Sequence, residues 1–96
     1  MKKNNSWKYV YEVQLNNEYN CSLIYNLRDK YTKWFDTQKQ AIEYARSIKK
    51  ELKDFFKDNK IDNTITLDVN QYWTNIEELD EQFCGIVYSL NIVGKY

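Results

Sequence analysis

The sequence predicts an α+β domain: a twisted antiparallel sheet of four to five strands with one long helix packed on one face, in the order β-β-(β)-α-β-β. Three observations carry that expectation. Trp7, Tyr9, Tyr11, Val13 and Leu15 alternate with Lys8, Val10, Glu12 and Gln14, the period-two pattern of a half-buried strand. Ala41, Ala45, Ile48, Leu52 and Phe55 recur at steps of four and three, which draws one apolar stripe along a helix. Period two then returns at Ile65, Leu67 and Val69, and again through Cys84, Ile86, Tyr88, Leu90 and Ile92. A helix stripe and an apolar sheet face bury each other, and that fixes the class.

Each element has its own justification. After the first strand, Asn16-Asn17-Glu18-Tyr19-Asn20 supplies asparagines that tolerate the left-handed backbone of a hairpin loop. Cys21, Leu23, Tyr25 and Leu27 alternate with Ser22, Ile24 and Asn26 and predict a second strand. Tyr31 to Phe35 predicts a short third. Thr37-Gln38-Lys39-Gln40 fits a capping box, so the helix is expected from about Gln38 to Asp58. Tyr44 and Phe56 flank its stripe, Lys39, Glu43, Arg46, Lys50, Lys53, Asp54 and Lys57 form its polar face, and Asn59 is a left-handed stop. A strand over residues 64–70 follows, then a connection from Gln71 to Glu81 and a last strand from Phe83 to Val93. Gly85 marks a bulge near its start.

Ninety-six residues and 11.7 kDa allow one domain, 1–96, with residues 1–6 as a flexible N-terminus. Lys+Arg and Asp+Glu are 14 each, which argues against a generic polyanion binder. Histidine is absent, so the commonest general base and transition-metal ligand are missing. With no proline and glycine only at positions 85 and 94, no Gly-rich phosphate loop or nucleophile elbow can be built. No catalytic residue, cofactor or metal site is expected. Cys21 and Cys84 lack a CxxC spacing and both fall on the apolar phase of their strands, which predicts two buried, unbridged thiols. No apolar run reaches the roughly 18 residues of a membrane span, and the charged start lacks the apolar core of a signal peptide. A cytoplasmic protein is expected, without membrane partners.

The candidate site rests on two features. Nine Tyr, three Trp and four Phe exceed what one helix-on-sheet core absorbs, and exposed Tyr and Trp are the rings enriched at binding hot spots. Trp34 and Phe35 are adjacent, so one of them must face away from the helix. Glu77, Glu78, Asp80 and Glu81 place four carboxylates in five positions; they lack the alternating ligands and turn glycine of a calcium loop. Asn75 to Leu79 also resembles an N-capped turn. Residues 1–60 carry 13 basic and 8 acidic groups, whereas residues 61–96 carry one lysine against six acids. The residues expected to contact a partner are Trp34, Tyr72, Trp73, Glu77, Glu78, Asp80 and Glu81.

Trp34-Phe35-Asp36-Thr37 followed by Ala41, Tyr44 and Ala45 resembles the strand-to-helix junction of AP2-like and integrase arm-type DNA-binding domains, over residues 7–56. That resemblance implies DNA contact through the N-terminal hairpin, where Lys8, Arg28, Lys30 and Lys33 are the basic groups. In type, a chain under 100 residues rich in Lys, Asn and Tyr, with a sheet, one helix and no catalytic set, resembles small phage and mobile-element inhibitors, anti-CRISPR proteins above all. This implies a non-enzymatic protein-binding inhibitor, phage-encoded, that masks a surface of a host defence nuclease. Its partner would be a nucleic-acid-binding protein, with homodimerisation possible. The alternative is a small DNA-binding accessory protein using the N-terminal hairpin.

Overall fold

A computed structural model describes residues 7–16, 22–60 and 62–94. Six elements follow along the chain: β1 (Trp7–Asn16), α1 (Ser22–Tyr31), β2 (Lys33–Phe35), α2 (Gln38–Asp58), β3 (Asn63–Asn75) and β4 (Asp80–Gly94). The strands form one antiparallel sheet in the order β2-β1-β3-β4. One face carries α2, and the α+β class holds.

One predicted strand is a helix. Residues 22–31 form α1, so the N-terminal hairpin expected between Leu15 and Leu27 does not exist; β1 pairs instead with β3 over its whole length and with β2 at Tyr11–Val13. The run Leu23, Ile24, Leu27, Tyr31 satisfies a helical repeat as well as an alternating one, and Ile24 breaks the polar phase that a strand needed. Leu27 joins the core. The Arg28 Nε donates to Leu15 O at 3.0 Å, and Thr32 Oγ1 to Arg28 O at 2.6 Å, which ties the helix end to β1 and stops it. The expected hairpin loop at residues 17–20 and Cys21 lie outside the described residues, as do residues 1–6.

Helix α2 runs over the predicted span. Thr37 is extended (φ −129°, ψ 150°) and its Oγ1 accepts from Gln40 N at 3.2 Å, which satisfies one of the first-turn donors. Ala41, Ala45, Ile48, Leu52 and Phe56 are buried. Phe56 thus takes the core position expected of Phe55, because the last step is four rather than three. At the end, Asn59 (φ −102°) is not left-handed; Lys60 takes that conformation (φ 55°), and Asn59 closes the helix with its backbone N–H and Nδ2 on Phe55 O.

Against this stripe pack Tyr11, Val13 and Leu15 of β1, Ile65, Leu67 and Val69 of β3, and Ile92 of β4. Phe35 adds its ring to Tyr44 at 5.1 Å between centroids, and Arg46 reaches across to the Tyr88 ring and hydroxyl. A helix of 21 residues covers about 31 Å, whereas the 15 residues of β4 extend about 50 Å. Part of the sheet therefore runs past the helix, and the molecule is 61 Å long.

The overhang is made by β3 and β4, which pair from Asn63↔Gly94 to Asn75↔Asp80. The connection expected from Gln71 to Glu81 is thus only the turn Ile76–Leu79, and Tyr72 and Trp73 are strand residues. The bulge expected at Gly85 is present: the register shifts between Gln71 and Tyr72 and again between Val69 and Asn70, leaving Cys84 and Val87 without cross-strand partners. Gly85 itself sits at φ 145°, which a side chain would strain. The shift at Val87 reverses the phase of β4 and the shift at Cys84 restores it. Tyr88, Leu90 and Ile92 face the helix, but Ile86 pairs with Asn70 on the other face and is exposed, and the Cys84 thiol is exposed rather than buried.

Leu79 closes the turn at φ 54° with its side chain 89% exposed. A leucine there bears the left-handed penalty, about 1–2 kcal/mol, and buries nothing in return. Leu79→Gly is expected to stabilise the fold by about 0.5–1 kcal/mol once the glycine's own entropy cost is subtracted. A lower urea midpoint for the variant would show that the leucine makes a contact that offsets its strain.

Candidate functional site: the overhanging end of the sheet

Strand alternation splits the overhang into two aromatic faces. On the helix side, Trp73 lies between Trp7, stacked at 5.6 Å and 15°, and Tyr9, tilted at 4.6 Å. Trp7 and Trp73 are partly buried in this stack, while Tyr9 stays 48% exposed. On the face away from α2, Trp34 of β2, Tyr72 of β3 and Phe83 of β4 form a row across the sheet, with centroids 5.1 and 5.4 Å apart. Trp34 is 47% and Phe83 59% exposed. The predicted pair Trp34 and Tyr72 is thus brought together, while Trp73 stands on the opposite side.

Behind the ring row the uncovered face is polar and ordered. Asn70 Nδ2 and the Tyr72 hydroxyl both donate to Glu12 Oε1, at 3.3 and 3.4 Å. Farther along, Asn16 and Ser89 donate to the two oxygens of the buried Asp68. Burial raises the Tyr72 hydroxyl above its ordinary 10.0, helped by the Glu12 charge, its hydrogen bond and the Glu81 charge. The native state therefore favours the neutral phenol. That preference contributes fully below pH 10 and is lost as pH rises through the folded value. The urea midpoint of the wild type should fall more steeply above pH 10 than that of Tyr72→Phe; parallel curves would mean that Tyr72 titrates normally.

Ahead of the ring row lie the acids. Glu77 and Glu78 sit in the turn, with Asp80 and Glu81 opening β4, and all four are exposed. Glu78 N donates to Asn75 Oδ1 at 3.1 Å, the capped turn that the spacing suggested. Among the described residues no three His, Cys, Asp or Glu side chains group as a metal site would require.

A cleft of about 420 Å³ opens between the turn and the β2–α2 junction. Trp34, Ile76 and Leu79 give it apolar walls, and Asp36, Asp80 and Glu81 its charge. Asp36 is already paired with Lys8 at 3.2 Å. Asn75 lines the cleft, is 1% exposed, and its Nδ2 finds no acceptor among the described residues. An unmade bond of that kind costs about 1–3 kcal/mol. Sequence reading missed Phe83, Glu12 and Asn75. Strand alternation was the available signal for Phe83, because it is out of phase with Tyr88, Leu90 and Ile92 and so faces away from the helix.

No family model, curated protein or solved structure matches the chain. No described helix is long and apolar enough to cross a membrane.

Proposed function

We propose that this protein is a non-enzymatic binding module that masks a basic, nucleic-acid-contacting surface of a protein partner. The Trp34–Tyr72–Phe83 row supports this reading most directly. Half-exposed rings held across three strands are pre-ordered anchors, so little conformational entropy remains to be lost on binding. The four carboxylates beside them suit a partner surface of opposite sign and would speed its approach. An inhibitor of a host defence nuclease, of the anti-CRISPR type, is the biological role that such a surface would fit, since a nuclease presents a basic channel.

Affinity capture from a host lysate, followed by binding kinetics on the captured protein, tests this. Trp34→Ala with Phe83→Ala should weaken binding by at least about tenfold, mainly through faster dissociation. An unchanged affinity would remove the ring row from the interface. Duplex DNA should bind weakly at every salt concentration. Tight duplex binding that falls steeply with salt would instead favour a DNA-binding accessory protein.

A further inference from the structure

The two edges of the sheet are built differently. On one side β2 is only three residues long, Lys33–Phe35, with charges at Lys33 and Asp36. A short, charged edge resists pairing with another chain. On the other side β4 has 15 residues and pairs only with β3. No backbone hydrogen bond among the described residues meets its outer groups. Its first half is protected by Asp80, Glu81 and the bulges at Cys84 and Val87, which break the ladder. Its second half has none of these devices. From Val69↔Tyr88 to Asn63↔Gly94 the ladder runs without a register shift. Tyr88-Ser89-Leu90-Asn91-Ile92-Val93-Gly94 holds no charge and no proline, and Val93 is 49% exposed.

We propose that residues 88–94 pair antiparallel with the same residues of a second copy, joining the two sheets into one of eight strands. An antiparallel strand is self-complementary about a two-fold axis, so one straight edge supplies both partners. Charge selects the same occupant. The outer face of α2 is rich in lysine and the β3–β4 turn in carboxylates, so identical copies meeting there oppose like charges. Residues 82–94 are uncharged, and two copies meet along them without repulsion. Pairing the whole straight ladder, about 23 Å at roughly 3.3 Å per residue, sets the axis at Asn91. Leu90 then opposes Ile92 of the second copy as an aliphatic pair. Tyr88 opposes its Gly94, where a ring covers bare backbone. Both α2 helices lie on one face of the joined sheet and both Trp34–Tyr72–Phe83 rows on the other.

Sedimentation equilibrium of the full 96-residue chain, kept reduced so that no thiol cross-links, tests this. The wild type should pass reversibly from monomer to dimer between about 1 and about 500 μM. Asn91→Lys with Val93→Lys places lysines beside the axis at exposed positions. It should weaken the dimer at least about 100-fold with an unchanged circular-dichroism spectrum. Gln82→Lys, outside the straight stretch, should leave the dimer intact. So should Trp34→Ala with Phe83→Ala, which separates edge pairing from stacking of the two ring rows. Hydrogen exchange gives a reading that needs no variant. Alternate amides of residues 88–94, those turned away from β3, should exchange more slowly as protein concentration rises. A chain that stays monomeric throughout, a dimer indifferent to the two lysines, or a dimer lost with the rings overturns the proposal. Protection of those amides only after a captured partner is added overturns it too, and assigns the edge to a foreign strand.

Discussion

Replacing Phe56 with alanine is expected to remove about 3–5 kcal/mol of stability. Phe56 is 1% exposed and the largest of the fully buried side chains. It is also the last buried residue of α2, so truncation leaves a cavity at the helix end, where only Leu52 one turn back still anchors it. A domain of this size has roughly 5–15 kcal/mol in all, so the variant loses a large share of its stability. Phe55 is the control. Its side chain is only partly buried, and Phe55→Ala should cost clearly less, about 1–2 kcal/mol. Urea midpoints measured at constant slope decide it. If Phe55→Ala proves the more damaging, α2 is rotated by one position from the phase described.

That single position shows what periodicity can and cannot supply. The stripe and the Thr37 cap placed α2 over the observed span, because both signals are local to the helix. The choice between Phe55 and Phe56 depends on how the last turn meets β1, β3 and β4, which no local pattern contains. The segment at residues 22–31 failed for a related reason. Its apolar positions satisfy both repeats, and nothing nearby arbitrates, since β1 finds its partner about 60 positions downstream in β3.

The site was half legible. Trp34 against Phe35 followed from strand alternation alone, and the acids followed from composition. Trp73 and Tyr72 were expected in a connection because Gln71, Thr74 and Asn75 read as loop residues, yet each finds a cross-strand partner on both sides. Once they are in a strand, adjacency sends them to opposite faces. The bulges at Cys84 and Val87 cancel between Phe83 and Tyr88, so alternation alone turns Phe83 away from the helix. It went unnoticed because Tyr72, the ring it meets, was expected in a connection, and the bulges mislead only at Cys84 and Ile86. A bulge can be suspected from Gly85, but its effect on phase depends on which residues are skipped.

Reversing Glu77, Glu78, Asp80 and Glu81 to lysine together is expected to slow association with a basic partner by about 10²-fold at low salt, within the range of electrostatic steering. The four side chains are exposed and make no hydrogen bond or ion pair with a described residue. The turn itself is held by Asn75 Oδ1 on the Glu78 backbone N–H, which the substitution leaves in place. Thermal stability should therefore change by less than about 1 kcal/mol. Raising the salt should narrow the gap between wild type and variant, because screening removes the attraction and the repulsion alike. Lys49→Glu with Lys53→Glu on α2 is the opposing control, since the helix lies on the sheet face away from Trp34, Tyr72 and Phe83. Surface-plasmon kinetics on the captured partner separate the cases. If the helix variant abolishes binding and the turn variant binds at the wild-type rate, the partner is acidic, it docks on the lysine face of α2, and the acidic end of the sheet has no part in recognition.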